Sequence, residues 1–360
     1  MLNFREKKKL QQSMLQNNLE ALLITYQPNV FYTSGFTGTS GYILLTLEEA
    51  FLYTDSRYLQ QARDQAPSFE VVKVTSSYDF QVIVSLLRQK TIKQLAVEEE
   101  HLTLRDYNRL KTTAGDNIEL QPVQNFVQKI RTKKEESEIK LIAQAAAKAD
   151  KALRDTMSIL KPNISEIDVA CELEYRLRKN GSEKVPFDVI VASGYRSSLP
   201  HGVASSKIIK EGELVVVDFG AVVGGYCSDM TRSFVIGAPS KEQQKIYDTV
   251  LNAQELTLSS IEPGENSADI DKIARNYFQK FGYSEFFGHG LGHGVGIEVH
   301  EEPVLSPKGD SMLEPGMVFT IEPGIYFEGW GGIRIEDLVV IREDKIEVLT
   351  KSSKEFVPKL

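Results

Sequence analysis

Between Pro200 and Asp337 the chain concentrates the residue types that do chemistry. Four of its five histidines and four well-placed acids, Asp218, Asp229, Glu322 and Glu336, fall there in short motifs. They are Pro200-His201-Gly202, Asp218-Phe219-Gly220, Asp229-Met230-Thr231-Arg232, Gly288-His289-Gly290-Leu291-Gly292-His293-Gly294, Val299-His300-Glu301, Ile321-Glu322-Pro323-Gly324 and Arg334-Ile335-Glu336-Asp337. One imidazole with four carboxylates is the ligand set of a hard, oxygen-rich site, with enough donors for two divalent ions rather than one. Asp218 and Glu322 each end an apolar run, where a buried carboxylate is costly unless it is paired or bound to a cation. Four such groups converging would repel one another, and two divalent ions would neutralise them and fix their geometry.

The elements that must position these acids repeat. Helical patterns over 137–160 and 166–180 precede a strand at 214–219, and helical patterns over 241–260 and 268–281 precede a strand at 317–322. Gly212-Glu213-Leu214-Val215-Val216-Val217-Asp218-Phe219-Gly220 sets an acid six residues after one glycine and two before another, and Gly316 to Gly324 does the same around Glu322. A duplicated α+β unit accounts for the match. Each acid-bearing strand is followed by a glycine turn, Gly224-Gly225 or Gly329 to Gly332, and by a second strand with a second acid, Asp229 or Glu336. Two strand hairpins are therefore predicted to present their carboxylates to one cleft between the halves.

The histidines call for separate treatment. His289 and His293 have the spacing of a zinc His-Glu-x-x-His helix, but Gly290 stands in place of the glutamate and the alternating glycines disfavour a helix. The phosphate-binding fingerprints are also absent. Glycines here provide close backbone approach, which suits a loop feeding two imidazoles into a crowded cleft, one as ligand and one behind it. His201 and His300 are candidates for polarising a substrate carbonyl, whereas His101 is expected to be structural or solvated.

Around this core the chain has 360 residues, more than one core usually organises, so two domains are expected. Residues 1–130 read as an α/β domain, with strand patterns at 21–25, 41–46, 50–54, 70–75, 94–98 and 118–123 and helical patterns at 5–17, 57–65, 79–90 and 104–113. Residues 131–360 form the second domain. Hydrophobic content of 41% with 26% charged residues is ordinary for a globular protein, and no apolar run approaches the ~20 residues that span a bilayer. The first residues show no apolar secretory region, so cytoplasmic residence is expected. Two cysteines, Cys171 and Cys227, suit reduced thiols. A net charge of −8 without a basic block argues against nucleic-acid binding.

These motifs resemble those of the Xaa-Pro peptidases, prolidase and aminopeptidase P, in the pita-bread metallopeptidase family that also contains methionine aminopeptidase and creatinase. The resemblance spans nearly the whole chain and implies an α+β architecture: an N-terminal ribonuclease-H-like α/β domain, similar to that of creatinase, before a pita-bread catalytic domain. It implies Asp218, Asp229, His293, Glu322 and Glu336 as ligands of two divalent ions, commonly manganese with cobalt or zinc as alternatives, and Asp229 and Glu336 as the bridging pair. It implies a metal-bridging hydroxide as nucleophile, Glu322 in proton transfer, and His201, His289, His300 and Arg334 at substrate and transition-state positions. A homodimer acting on short proline-containing peptides is expected, as a prolidase-like Xaa-Pro dipeptidase or, alternatively, an aminopeptidase P acting on longer peptides. A ligand-free, non-catalytic pita-bread binding module fits less well, since every ligand position is filled.

Overall fold

In the computed structural model, which describes residues 2–75 and 78–357, the chain divides into two compact units, Met1–Arg131 and Thr132–Leu360. The first contains a six-stranded mixed sheet in the order Glu70–Lys73, Ala50–Thr54, Tyr42–Thr46, Ala21–Ile24, Gln94–Glu98, Glu119–Val123. Its central strands Ala21–Ile24 and Tyr42–Thr46 are buried at every position, as expected where an apolar run lacks alternation. Leu23, Leu44 and Leu95 pack there with Ile83, Val84 and Leu87 of the amphipathic helix Phe80–Gln89.

Two helices of this unit carry no periodic signal, Gln27–Ser34 and Phe126–Thr132. The first is held by a distant residue: buried Glu98 accepts from the amides of Thr25 and Tyr26 at 2.7 and 2.9 Å and from Asn29 Nδ2 at 2.6 Å. A buried acceptor of this kind satisfies helix-entry amides that a local cap would otherwise cover. His101 stacks on Tyr26 with ring centroids 3.5 Å apart.

The second unit is built twice over. In its first half the helices Glu136–Thr156 and Glu166–Lys179 lie with an antiparallel sheet ordered Met230–Val235, Leu214–Phe219, Ile190–Ser193. In its second half the helices Lys241–Ser260 and Ser267–Lys280 accompany a sheet ordered Glu301–Leu305, Gly292–Gly294, Val318–Ile321, Asp337–Ile341, Ile346–Val348. Each half has its own core, one around Leu173, Val215 and Val217 and the other around Ile246, Phe278 and Phe319. The correspondence reaches the caps. Ser165 caps one helix by accepting from Asp168 N, Asn266 caps the other by accepting from Ala268 N, and each cap residue makes an isolated bridge, to Ile208 and to Met312.

The halves join along their acid-bearing segments. Glu336 N donates to Thr231 O at 3.1 Å, while Ser233 Oγ accepts from Arg334 N at 3.0 Å and donates to Arg334 O at 2.8 Å. Both second acids depart from the strand positions predicted for them. Asp229 lies in the break between Tyr226–Cys227 and Met230–Val235, and Glu336 in the break between Gly331–Arg334 and Asp337–Ile341. Leaving the ladder there lets a carboxylate turn out of the pleat. The bend is tight, because a Cβ on Gly220 would stand 2.0 Å from Ser228 O.

Candidate active site

One cavity of about 460 Å³ is lined by Asp218, Asp229, His293, Glu322, Glu336, His201, His289, His300 and Arg334. Phe187, Ile190 and Val304 add apolar wall. Asp229 and Glu336 are buried, at 5% and 2% exposure, whereas the side chains of Asp218 and Glu322 retain 13% and 16%. Two acids thus form the floor and two the sides.

His293 enters on the short strand Gly292–Gly294, and the glycines flanking it allow the approach. A Cβ on Gly292 would meet Thr320 O at 2.0 Å, and one on Gly294 would meet Glu302 O at 2.1 Å. The strand brings His293 Nε2 to 3.3 Å from Glu322 Oε1 and 3.6 Å from Asp229 Oδ2. One donor atom from each of Asp229, His293 and Glu336 lies within 4.8 Å of the others.

The protonation pattern shows what this arrangement suits. His293 Nδ1 faces Gly294 O at 3.1 Å, and a carbonyl only accepts, so Nδ1 carries the proton. Burial holds the imidazole below its usual range and therefore neutral. Its Nε2 lone pair then faces the carboxyl oxygens of Glu322 and Asp229. Among the described residues, Asp218 Oδ1 and Asp229 Oδ1 are buried and find no hydrogen-bond partner. Burial, then the neighbouring carboxylates, push Asp229 and Glu336 well above the ordinary acid range. Burial and Asp218, against Arg334, lift Glu322 to about 7. Converging lone pairs, orphaned oxygens and crowded acids fit divalent cations, which would satisfy all three together.

The acids are also held from behind. Thr231 Oγ1 donates to Glu336 Oε2 at 2.6 Å and Thr320 Oγ1 to Glu322 Oε1 at 3.1 Å. Arg232, fully buried, donates to Glu336 O, to Asp337 Oδ1 at 2.7 Å and to Ser352 O at 2.9 Å. Lys354 Nζ completes the Asp337 pair at 2.7 Å.

On the other wall Arg334 NH2 pairs with Asp218 Oδ2 at 2.6 Å, and its NH1 donates to Pro200 O at 3.1 Å and to Tyr326 OH at 2.9 Å. His289 Nδ1 donates to Gly290 O at 2.7 Å, so neutral Nε2 accepts from Tyr326 OH at 3.1 Å. Burial and Arg334 lower His289 to about 4, which leaves it neutral at ordinary pH. His300 lies beside His293 with ring centroids 4.3 Å apart, and exposed His201 stands on the segment whose Pro200 carbonyl Arg334 holds.

Tyr326, Thr231 and Thr320 were not among the residues expected from sequence. Thr231 lies inside a quoted motif, and Tyr326 stands four residues after Glu322, but nothing about either spacing marks a hydroxyl aimed at a site.

An oxygen-rich centre on a duplicated α+β unit is the construction of a metal-dependent hydrolase. The chain belongs to metallopeptidase family M24, whose profile matches residues 140–343, with a creatinase/prolidase N-terminal domain over residues 7–133. Its catalytic unit has the pita-bread fold. A Xaa-Pro dipeptidase of Pyrococcus horikoshii is 41% identical over 351 residues, covering 97% of this chain and 98% of that protein. The solved structure of a Xaa-Pro dipeptidase from Bacillus anthracis superposes with a TM-score of 0.94 at 40% identity over 99% of each chain. That of an X-Pro aminopeptidase from Thermotoga maritima gives 0.90 at 40% identity, covering 96% of this chain and 99% of that one. Among the described residues no helix is long and apolar enough to cross a membrane.

Proposed function

We propose that the protein is a metal-dependent Xaa-Pro dipeptidase, hydrolysing the bond before proline in short peptides. The observation that carries the chemistry is the convergence of the His293 lone pair with the carboxylates, two of whose buried oxygens lack partners. Asp218, Asp229, His293, Glu322 and Glu336 would hold two divalent ions, with manganese the first choice and cobalt or zinc the alternatives. When bound, such ions supply an activated water and polarise a carbonyl.

The chain's own groups do the rest. Glu322, braced by Thr320 Oγ1, holds a carboxylate at the side of the cavity that can take up and release a proton. Tyr326, fixed between Arg334 and His289, presents a hydroxyl whose orientation is set by a guanidinium on one side and an imidazole on the other. His201 and His300 line the substrate side of the cavity, where each can donate to a developing oxyanion. Phe187, Ile190 and Val304 offer apolar contact to a ring that has no N–H of its own. A second reading, an aminopeptidase acting on longer Xaa-Pro peptides, is favoured by the similarity to the Thermotoga maritima structure. Family resemblance supports a homodimer in the cytoplasm.

The test is hydrolysis of Ala-Pro and Ala-Pro-Ala by chelator-treated protein before and after Mn²⁺ is restored. Cleavage of the dipeptide alone is expected. Cleavage of the tripeptide moves the assignment to the aminopeptidase, and inactivity on both with metal bound sinks the peptidase reading.

A further inference from the structure

The segment that carries His201 is exposed at its tip, yet both its ends return to one buried carboxylate. Glu166, the first residue of the helix Glu166–Lys179, is 0% exposed. Its Oε1 accepts from Ser193 N at 2.7 Å and Ser193 Oγ at 2.8 Å, where the segment leaves the strand Ile190–Ser193. Its Oε2 accepts from Arg196 Nε at 3.0 Å, Ser205 N at 3.2 Å and Ser205 Oγ at 2.6 Å, the last two where the segment returns. Arg196 NH2 then crosses the base of the loop to donate to Val203 O at 2.7 Å. Backbone bonds Ile167 N to Ser205 O and Glu166 N to Lys207 O fasten the return leg to the same helix end.

A carboxylate wholly out of water needs compensation, and five donors, one of them a guanidinium, are more than a fold needs from one surface turn. They are not spread along the loop but gathered at its neck. Inside the neck the chain makes only tight local turns, Leu199 N to Arg196 O, Gly202 N to Leu199 O and Val203 N to His201 O. Those turns fix the shape of the tip but not where it sits. Beyond these turns Val203 makes an isolated bridge to Ile190, and the tip's other outward anchors are Pro200 O to Arg334 and Ser197 Oγ, which accepts from Gly332 N at 2.9 Å.

We propose that Glu166 is a positioning residue that sets His201 over the cavity, by clamping shut the neck of the segment 194–204. The proposal rests on the peptidase reading for its kinetic consequence, while the clamp itself is a property of the fold. Glu166→Gln keeps the volume but sets an amide NH₂ against donors that need an acceptor. A displacement of about 1 Å at a substrate-contacting group costs up to about a hundredfold.

The experiment compares manganese-loaded wild type, Glu166→Gln, His201→Ala and the double variant in kcat and KM on Ala-Pro. Thermal midpoint and backbone hydrogen exchange over residues 194–205 are measured on the same samples. Glu166→Gln is expected to lose about ten- to a hundredfold in kcat/KM and to exchange faster in that segment alone. The double variant is expected to match His201→Ala within about twofold, because the two residues act through one group. Losses that multiply in the double variant, or unchanged exchange in Glu166→Gln, overturn the proposal. If Glu166→Gln does not fold, Arg196→Gln takes its place, removing one of the donors, and the same two outcomes decide. Wild-type protein inactive on both Ala-Pro and Ala-Pro-Ala, together with faster exchange in the variant, leaves the clamp standing and discards the peptidase reading instead.

Discussion

The two halves of the catalytic unit place their acids alike and compensate them differently. In the first half Asp218, at the end of the strand Leu214–Phe219, is met by the Arg334 guanidinium, which comes from the second half. In the second half Glu322 is met by a Thr320 hydroxyl and the His293 imidazole, both from its own half, and rises to about 7. Duplication supplied two equivalent carboxylate positions, and the unlike partners they meet made them inequivalent. One side wall is therefore tied across the seam by an ion pair, and the other is held within its own half.

The most severe way to break the comparison is at the floor, where the halves should be equal. Asp229→Asn and Glu336→Gln are each expected to abolish hydrolysis and to lower the metal content found by elemental analysis, because either change removes a charged donor from a shared centre. Retention of full activity by one of them would show that the halves contribute unequally even there. Next comes the side wall. Arg334→Lys keeps a positive charge but loses the fork that reaches Asp218, Tyr326 and Pro200 together. It is expected to reduce kcat/KM by about ten- to a hundredfold, since lysine cannot reproduce a multidentate geometry. Steady-state kinetics on Ala-Pro would check this, and an unchanged value would mean that charge alone suffices.

The smallest effect concerns stability without metal. Asp229, Glu322 and Glu336 all have folded-state values above those of an unfolded chain, near about 4 for carboxylates. At acid pH both states hold these protons and the groups impose no penalty. As pH rises through the unfolded range toward about 7, the unfolded chain ionises freely while the buried cluster resists, so stability is lost. The buried neutral histidines His289 and His293 act in the opposite sense below about pH 7, so the carboxylate effect is read above it: chelated protein should melt on the order of a few degrees lower at about pH 8.5 than at about pH 7. Restored Mn²⁺ should narrow that gap in a calorimetric scan, and a metal-free midpoint that climbs with pH above about pH 7 would contradict the assigned carboxylate directions.

What was readable in the sequence follows from the range over which each feature is encoded. The four acids and their repeat were visible because strand, glycine and carboxylate recur within nine residues, Gly212 to Gly220 and again Gly316 to Gly324. The long helices announced themselves by periodicity. Asp229 and Glu336 were legible as acids but not as residues in breaks, because a departure from the ladder depends on what packs opposite. The helix Gln27–Ser34 was invisible, since its entry is held by Glu98 some seventy residues away. Tyr326, Thr231 and Thr320 act only through neighbours that the fold supplies, and Glu166 reads in sequence as an ordinary acid at a helix start.

The Arg232–Asp337 pair makes the floor of the cavity dependent on a segment remote from it in sequence. Glu336 is braced by a guanidinium from residue 232, and that guanidinium is braced by carbonyls at Ser352 and Ser353. An emerging polypeptide that has presented all four acids but not yet residues 350–354 has the donors without their backing. Loss of residues 350–354 would thus unsettle Glu336 although none of them lines the cavity.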